Sequence, residues 1–169
     1  LIILIVFTVD SAISTWSSIY LKDVLASSAT IAPLGYAAYQ IGILLTRLSL
    51  DYLLQFKTAT WIALVTLLIG AFGCVLSGIS HSLVTVILGF ALAGVAVGAL
   101  VPLTYSAVGR LDESRRDEII ARVNIFNYGG AVAGAVIVGL LATPFGYAPS
   151  FIGLAFALLS IIYLRKRLV

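Results

Sequence analysis

Long apolar runs alternate with short polar breaks along the whole chain. The apolar runs lie near 2–21, 30–54, 59–79, 82–107, 119–142 and 148–164. Each approaches the roughly 20 residues that a helix needs to cross about 30 Å of hydrocarbon. The breaks carry turn chemistry: Lys22-Asp23, Gln55-Phe56-Lys57, Ser77 through Ser82, the charged run Arg110 to Arg122, and Thr143-Pro144-Phe145-Gly146. The ten-residue alternation of a transmembrane barrel is not visible. Lipid offers no partner to backbone N–H and C=O groups, so spans through it must be helices. The pattern predicts an all-α membrane protein, with six transmembrane helices forming one bundle across residues 1–169.

Composition excludes a water-soluble domain. Of 169 residues, 62% are hydrophobic and 10% charged, with a mean hydropathy of +1.16. Soluble domains carry about a quarter charged residues, and a chain this apolar could not hide its surface from water. The net charge of +3 is too small to argue for a nucleic-acid partner. The one cysteine, Cys74, lies in an apolar run, so no internal disulfide is available. The absence of methionine and the opening run Leu1 to Phe7 lead us to expect a helix cut from a longer protein. A secretory signal would show a basic flank and a small-residue cleavage site, and neither is present.

Placement of the basic residues orients the bundle. Arg47, Lys57, Arg110, Arg115, Arg116, Arg122, Arg165, Lys166 and Arg167 fall on one side, and only Lys22 on the other. Cytoplasmic loops are enriched in Lys and Arg. The basic side, including loop 108–118, is therefore expected to be cytoplasmic, as are both ends of the segment. Asp117 and Glu118 are expected at the N-terminus of the fifth helix, where its dipole favours negative charge.

Polar residues at membrane depth are the candidates for chemistry, because an intramembrane charge costs at least a few kcal/mol. Asp10 is the foremost, roughly 14 Å from Leu1 and 18 Å from Lys22 at about 1.5 Å per residue. Thr8, Asp10, Ser11, Ser14, Thr15, Ser17 and Ser18 cover one half of this helix, and Val9, Ala12, Ile13, Trp16, Ile19 and Tyr20 the other. That division suits a hydrated cavity on one face, with Asp10 carrying a proton or binding solute. The bland reading is a neutral, hydrogen-bonded Asp packed between helices. The second helix presents Tyr36, Gln40, Arg47 and Asp51 within roughly 60° of arc at 100° per residue. Arg47 and Asp51 are one turn apart and spaced to pair, although Arg47 could equally snorkel to the interface. In the fifth helix, Asn127, Ala131 and Gly134 share a face that suits a cavity wall or close helix contact. Gly94 and Gly98 read as helix contacts, and Trp16 as belt or helix contact. His81 is a lone loop histidine. Adjacent Ser80 and His81 cannot form a working dyad. With no metal-ligand cluster and no phosphate-binding glycine loop, no cofactor is expected.

Three stretches carry a resemblance. The first is Trp16-Ser17-Ser18-Ile19-Tyr20-Leu21-Lys22-Asp23-Val24-Leu25 followed by Leu34-Gly35-Tyr36-Ala37-Ala38-Tyr39. The second is Arg47-Leu48-Ser49-Leu50-Asp51-Tyr52-Leu53, then Lys57. The third is Gly109-Arg110-Leu111, leading to Asn127-Tyr128-Gly129-Gly130 and Gly139-Leu140-Leu141-Ala142. In this order and spacing the chain resembles the C-terminal six-helix half of a major facilitator superfamily transporter, and is similar to the bacterial fucose-permease-like branch. Asp10 occupies an acidic position six residues before the Trp, whereas the family's second acid is Thr15 here. The second stretch resembles the degenerate second copy of the superfamily's cytoplasmic loop motif. Its two glycines are replaced by Thr46 and Leu50, which puts the tight helix contact they allow in question.

The resemblance implies that the first, second, fourth and fifth helices line a cavity, with the third and sixth outside. Asp10, Gln40, Asn127 and Tyr36 would contribute to a substrate or proton site, and Arg47, Asp51 and Arg110 to gating. Transport would proceed by rocking one bundle against the other around a midplane site. The expected function is secondary active transport of a small solute, coupled to protons, across a bacterial inner membrane. The expected partners are the lipid bilayer, the solute, protons and a missing N-terminal six-helix half. The alternative is a complete six-span protein acting as a homodimeric half-transporter or channel. An intramembrane enzyme lacks a catalytic constellation. Substrate identity is not legible, since one carboxylate with a few amides and hydroxyls suits sugars, organic acids or drugs alike.

Overall fold

In a computed structural model, which describes residues 1–110 and 115–164, the described chain consists of helices joined by short turns. The helices are α1 (Ile2–Asp23), α2 (Leu34–Phe56), α3 (Ala59–Ile79), α4 (Leu83–Gly109), α5 (Arg116–Phe145) and α6 (Tyr147–Ser160), the last extended by a 3-10 turn (Ile161–Tyr163). Part of loop 108–118 and the basic residues Arg165, Lys166 and Arg167 lie outside the described residues.

The helix boundaries follow local chemistry more closely than hydropathy does. Pro33 precedes α2, which starts at Leu34 rather than near residue 30. Proline has no N–H to give and disfavours helix in the residue before it. Thr58 caps α3, its hydroxyl accepting from the Trp61 N–H at 3.3 Å. Helix α5 runs from Arg116 to Phe145, beyond the expected 119–142 at both ends. Asp117 and Glu118 do occupy its first turn, and Pro144 does not stop it. The break comes at Gly146, whose φ of 81° is accessible to glycine at little cost.

Four helices are long and apolar enough to cross a membrane: Ile2–Asp23, Ala59–Ile79, Leu83–Gly109 and Asp117–Phe145 among the described residues. The 23-residue α2 is long enough but diluted by Gln40, Arg47, Asp51 and Gln55. The last apolar segment, Tyr147–Tyr163, is shorter.

The bundle is assembled from tight helix pairs. The widest contacts join α3 to α4, α1 to α5 and α2 to α4, with α6 resting chiefly on α3. Between α2 and α4, a Cβ at Gly42 would collide with the Ala91 carbonyl, and one at Gly94 with that of Tyr39. Gly98 sits against the Ile43 backbone and the Thr46 side chain. The tight contact put in question by Thr46 and Leu50 is thus made one turn away, from glycines of both helices. Between α1 and α5, Gly130 faces the Leu4 carbonyl and Gly134 that of Thr8. Small residues are the usual means of close helix approach where lipid removes the hydrophobic drive. One end of the core is aromatic: Tyr20 meets Phe90 and Phe151 edge-on, and Tyr147 lies between Trp16 and Tyr20.

Candidate functional site: a carboxyl and a guanidinium in one pocket

Helices α1 and α2 form an open-sided pocket of about 470 Å³ lined by Asp10, Ser14, Tyr36, Gln40, Ile43, Leu44 and Arg47. Asp10 and Ser14 are one turn apart on α1 and face the same way. On α2, Tyr36, Gln40, Ile43, Leu44 and Arg47 follow the i, i+4, i+7, i+8, i+11 stripe of one helical face. The described lining comes from α1 and α2 alone; of the four helices expected to line a cavity, α4 and α5 contribute nothing to this pocket.

The polar contacts define what each group has left to offer. The Tyr39 hydroxyl donates to Oδ1 of Asp10 at 2.8 Å, across the α1–α2 contact. Tyr39 is fully buried while Asp10 remains half-buried, so the carboxyl is held from behind with its open side toward the pocket. An ionised acceptor makes this bond stronger than a neutral one. The Gln40 amide donates to the Tyr36 hydroxyl oxygen at 2.9 Å, leaving the Tyr36 O–H free to donate. Arg47 is exposed and makes no salt bridge among the described residues, where the ion pairs are Arg115–Glu118 and Arg122–Glu118.

Of the seven expected site residues, four converge here: Asp10, Tyr36, Gln40 and Arg47. Arg47, expected among the gating residues, lines the pocket itself, and its anticipated pairing with Asp51 is not formed. Asp51 lies exposed one turn further along α2. Asn127 is half-buried on α5 and outside the described lining. Arg110 closes α4, its guanidinium donating to the Ser106 hydroxyl at 3.1 Å.

Other polar and aromatic residues are used within and between helices rather than in the pocket. The polar half of α1 is not all cavity: Ser11 donates to the Ala131 carbonyl of α5, Thr8 to its own Leu4 carbonyl, and Ser17 is fully buried. Trp16 is a helix contact, its indole N–H donating to the Ala135 carbonyl at 2.9 Å with Gly139 beneath the ring. Asn124 accepts from the Tyr105 hydroxyl at 2.7 Å, tying α4 to α5. The missed partner with most consequence is Tyr39. Its local signal was only a second tyrosine three residues after Tyr36, off the polar stripe.

Comparisons with known proteins accord with this architecture. The sequence matches the pattern of the Major Facilitator Superfamily over residues 1–168. It is 32% identical over 127 residues to an uncharacterized transporter of Sinorhizobium fredii, an alignment covering 75% of this chain and 34% of that protein. It is 25% identical over 157 residues to an uncharacterized MFS-type transporter of Yersinia pestis, covering 93% and 41%. The membrane protein MosC of Rhizobium meliloti is 24% identical over 163 residues, covering 94% and 40%. The chain thus spans between a third and two fifths of the length of these relatives. No solved structure matches it. A superfamily pattern matched over nearly every residue, carried on a bundle of apolar helices, makes this chain part of a multi-pass membrane protein that belongs to the Major Facilitator Superfamily.

Proposed function

We propose that this chain is the C-terminal six-helix half of a proton-coupled secondary transporter of the fucose-permease-like branch, moving a small solute by alternating access. All six helices, α2 and α6 included, would then cross the membrane. The observation that carries this reading is the convergence of Asp10, Tyr36, Gln40 and Arg47 on one pocket between α1 and α2. A midplane carboxyl with one open side is placed to exchange a proton and to meet a solute, and such sites lie at the interface between repeats. The relatives' greater length supports a further bundle in the whole protein. The open flanks of α2 and α5 offer a surface for it. Leu44, Leu45, Leu48 and Tyr52 are exposed on α2, as are Phe126, Val132 and Leu140 on α5. Rocking that second bundle against this one would expose the pocket to each side in turn.

The one-sided distribution of Arg and Lys supports both ends of the chain facing the cytoplasm. The bacterial relatives support an inner-membrane setting. Arg47 and Asp51, the latter exposed at the basic end of α2, and Arg110, ending α4, remain the proposed gating residues. Asn127 is proposed to meet solute from α5 in a conformation where the cavity spans both walls.

The test is uptake into proteoliposomes by the full-length protein under an imposed pH gradient. Gradient-driven uptake that becomes indifferent to pH in Asp10→Asn is the expected result. Unchanged pH dependence in that variant would sink proton coupling through Asp10. Gradient-driven uptake by this chain alone would instead favour a homodimeric half-transporter.

A further inference from the structure

Charges are scarce inside this bundle, and their distribution is informative. Helices α3, α4 and α6 carry none. Those of α5 fall in its first two turns, at the basic end. Besides Asp10, α1 has only Lys22 and Asp23, in its last turn. Asp51 lies one turn beyond Arg47, outside the pocket. Asp10 and Arg47 are therefore the charged side chains that line the pocket, with opposite signs.

The two differ in one property. A guanidinium keeps its charge at any physiological pH, whereas a carboxyl can be neutralised by a proton. With Asp10 ionised, the lining is neutral overall. With Asp10 protonated, it carries one positive charge on Arg47. An uncompensated charge at membrane depth is costly, and an anion from solution is the simplest compensation. The remaining hydrogen-bonding groups lean the same way. Because the Gln40 amide donates to the Tyr36 oxygen, the Tyr36 O–H stays free to donate, and the second Gln40 N–H, the Ser14 hydroxyl and the Arg47 fork line the same pocket. A donor-rich lining suits an acceptor-rich ligand. A guanidinium fork in particular matches the paired oxygens of a carboxylate or phosphate.

Resting on the transporter reading above, we propose that the solute is a small organic oxyanion held by Arg47, Tyr36 and Gln40, and that a proton on Asp10 is the condition for holding it tightly. Proton and anion then favour each other's binding reciprocally, which is thermodynamic coupling within a single pocket. From α2, Asp10 is faced by Tyr39, Tyr36 and Arg47. Helices α4 and α5 bring no charged side chain to that level, and α6 meets α1 through Tyr147 at the aromatic end. The coupling accordingly runs between Asp10 and Arg47.

The experiment is thermal unfolding of the purified full-length protein at pH 5.5 and 7.5. The probes are lactate, succinate, glycerol 3-phosphate, glucose and choline, each added singly. The expected result is a rise in Tm with at least one of the three oxyanions, half-saturating at roughly tenfold lower concentration at pH 5.5 than at 7.5. The response of lactate and succinate against glycerol 3-phosphate then separates carboxylate from phosphate. Arg47→Gln should abolish the rise and Arg47→Lys retain part of it. Asp10→Asn should bind equally well at both pH values. Arg47→Lys also serves if the Gln variant fails to fold. No stabilisation by any oxyanion, stabilisation that survives Arg47→Gln, or stabilisation by glucose or choline alone would each overturn the inference. Saturable, gradient-driven uptake of glucose or choline sinks the oxyanion alone and leaves the transporter reading standing. Non-saturable uptake, indifferent to the pH gradient and to Asp10→Asn, overturns both.

Discussion

The Asp10–Tyr39 bond shows how one buried hydroxyl shapes an intramembrane carboxyl. The sequence marked Asp10 by its cost in hydrocarbon, and marked Tyr36 and Gln40 by their shared stripe. Tyr39 lies at roughly 60° from Tyr36 on the helical wheel, turned into the α1–α2 contact, so a search for a polar stripe passes over it. Removing its hydroxyl should be felt. Tyr39→Phe preserves the buried ring but deletes a hydrogen bond to a group that can ionise, a loss of roughly 1.5–3 kcal/mol. Tyr36→Phe deletes only an exposed bond to Gln40, worth about 0.5–1.5 kcal/mol at most. Thermal unfolding of the full-length protein should therefore rank Tyr39→Phe clearly below Tyr36→Phe, and equal midpoints would contradict the geometry.

Helix pairs explain which glycines matter. At Gly134, any side chain would meet the Thr8 carbonyl and the Ala12 N–H, groups that belong to the α1 backbone and cannot step aside. Gly134→Val should force α1 from α5 at a cost of about 1–3 kcal/mol or more, breaking the Ser11–Ala131 and Trp16–Ala135 bonds with it. Gly153 in α6 has open space where a Cβ would stand. Gly153→Ala should be neutral, or stabilising by up to about 1 kcal/mol through helix propensity. Circular dichroism melts of the two variants should move in opposite directions, or Gly153 should not move at all. Sequence reading identified Gly94 and Gly98 as helix contacts because small residues recurred at helical spacing. It could not say that they meet the backbone of α2 at Tyr39 and Ile43, since a partner helix leaves no local imprint.

For the whole molecule, the orientation drawn from basic residues can be tested directly. Cys74 is the only cysteine of the chain and is buried, so water-borne maleimides should find little to label in its native bundle. A cysteine placed at His81, in the loop between α3 and α4, should react from outside intact cells. One placed at Lys57, between α2 and α3, should react only after the membrane is opened. The reverse pattern would invert the topology. Exposed apolar flanks on α2 and α5 also lead us to expect that this chain expressed alone self-associates or aggregates in detergent, whereas the full-length protein runs as a single species on gel filtration.

Hydropathy along the chain determined that this is a helical membrane protein, and placed its helices to within a few residues, because lipid tolerates no other way of satisfying the backbone. The break at Gly146 was marked by its turn residues, whereas the stop at Pro33 and the cap at Thr58 were passed over by hydropathy alone. Charge placement singled out Asp10 as a residue needing a reason, and left Arg47 between pairing with Asp51 and snorkelling to the interface. Only the tertiary structure decided what the reason is. Whether two intramembrane charges share a pocket, and which hydroxyl stands behind the carboxyl, depends on the rotation of α1 and α2 about their axes. That rotation is set by where glycines of α4 and α5 let the backbones approach, a property of helix pairs that no single stretch of sequence contains.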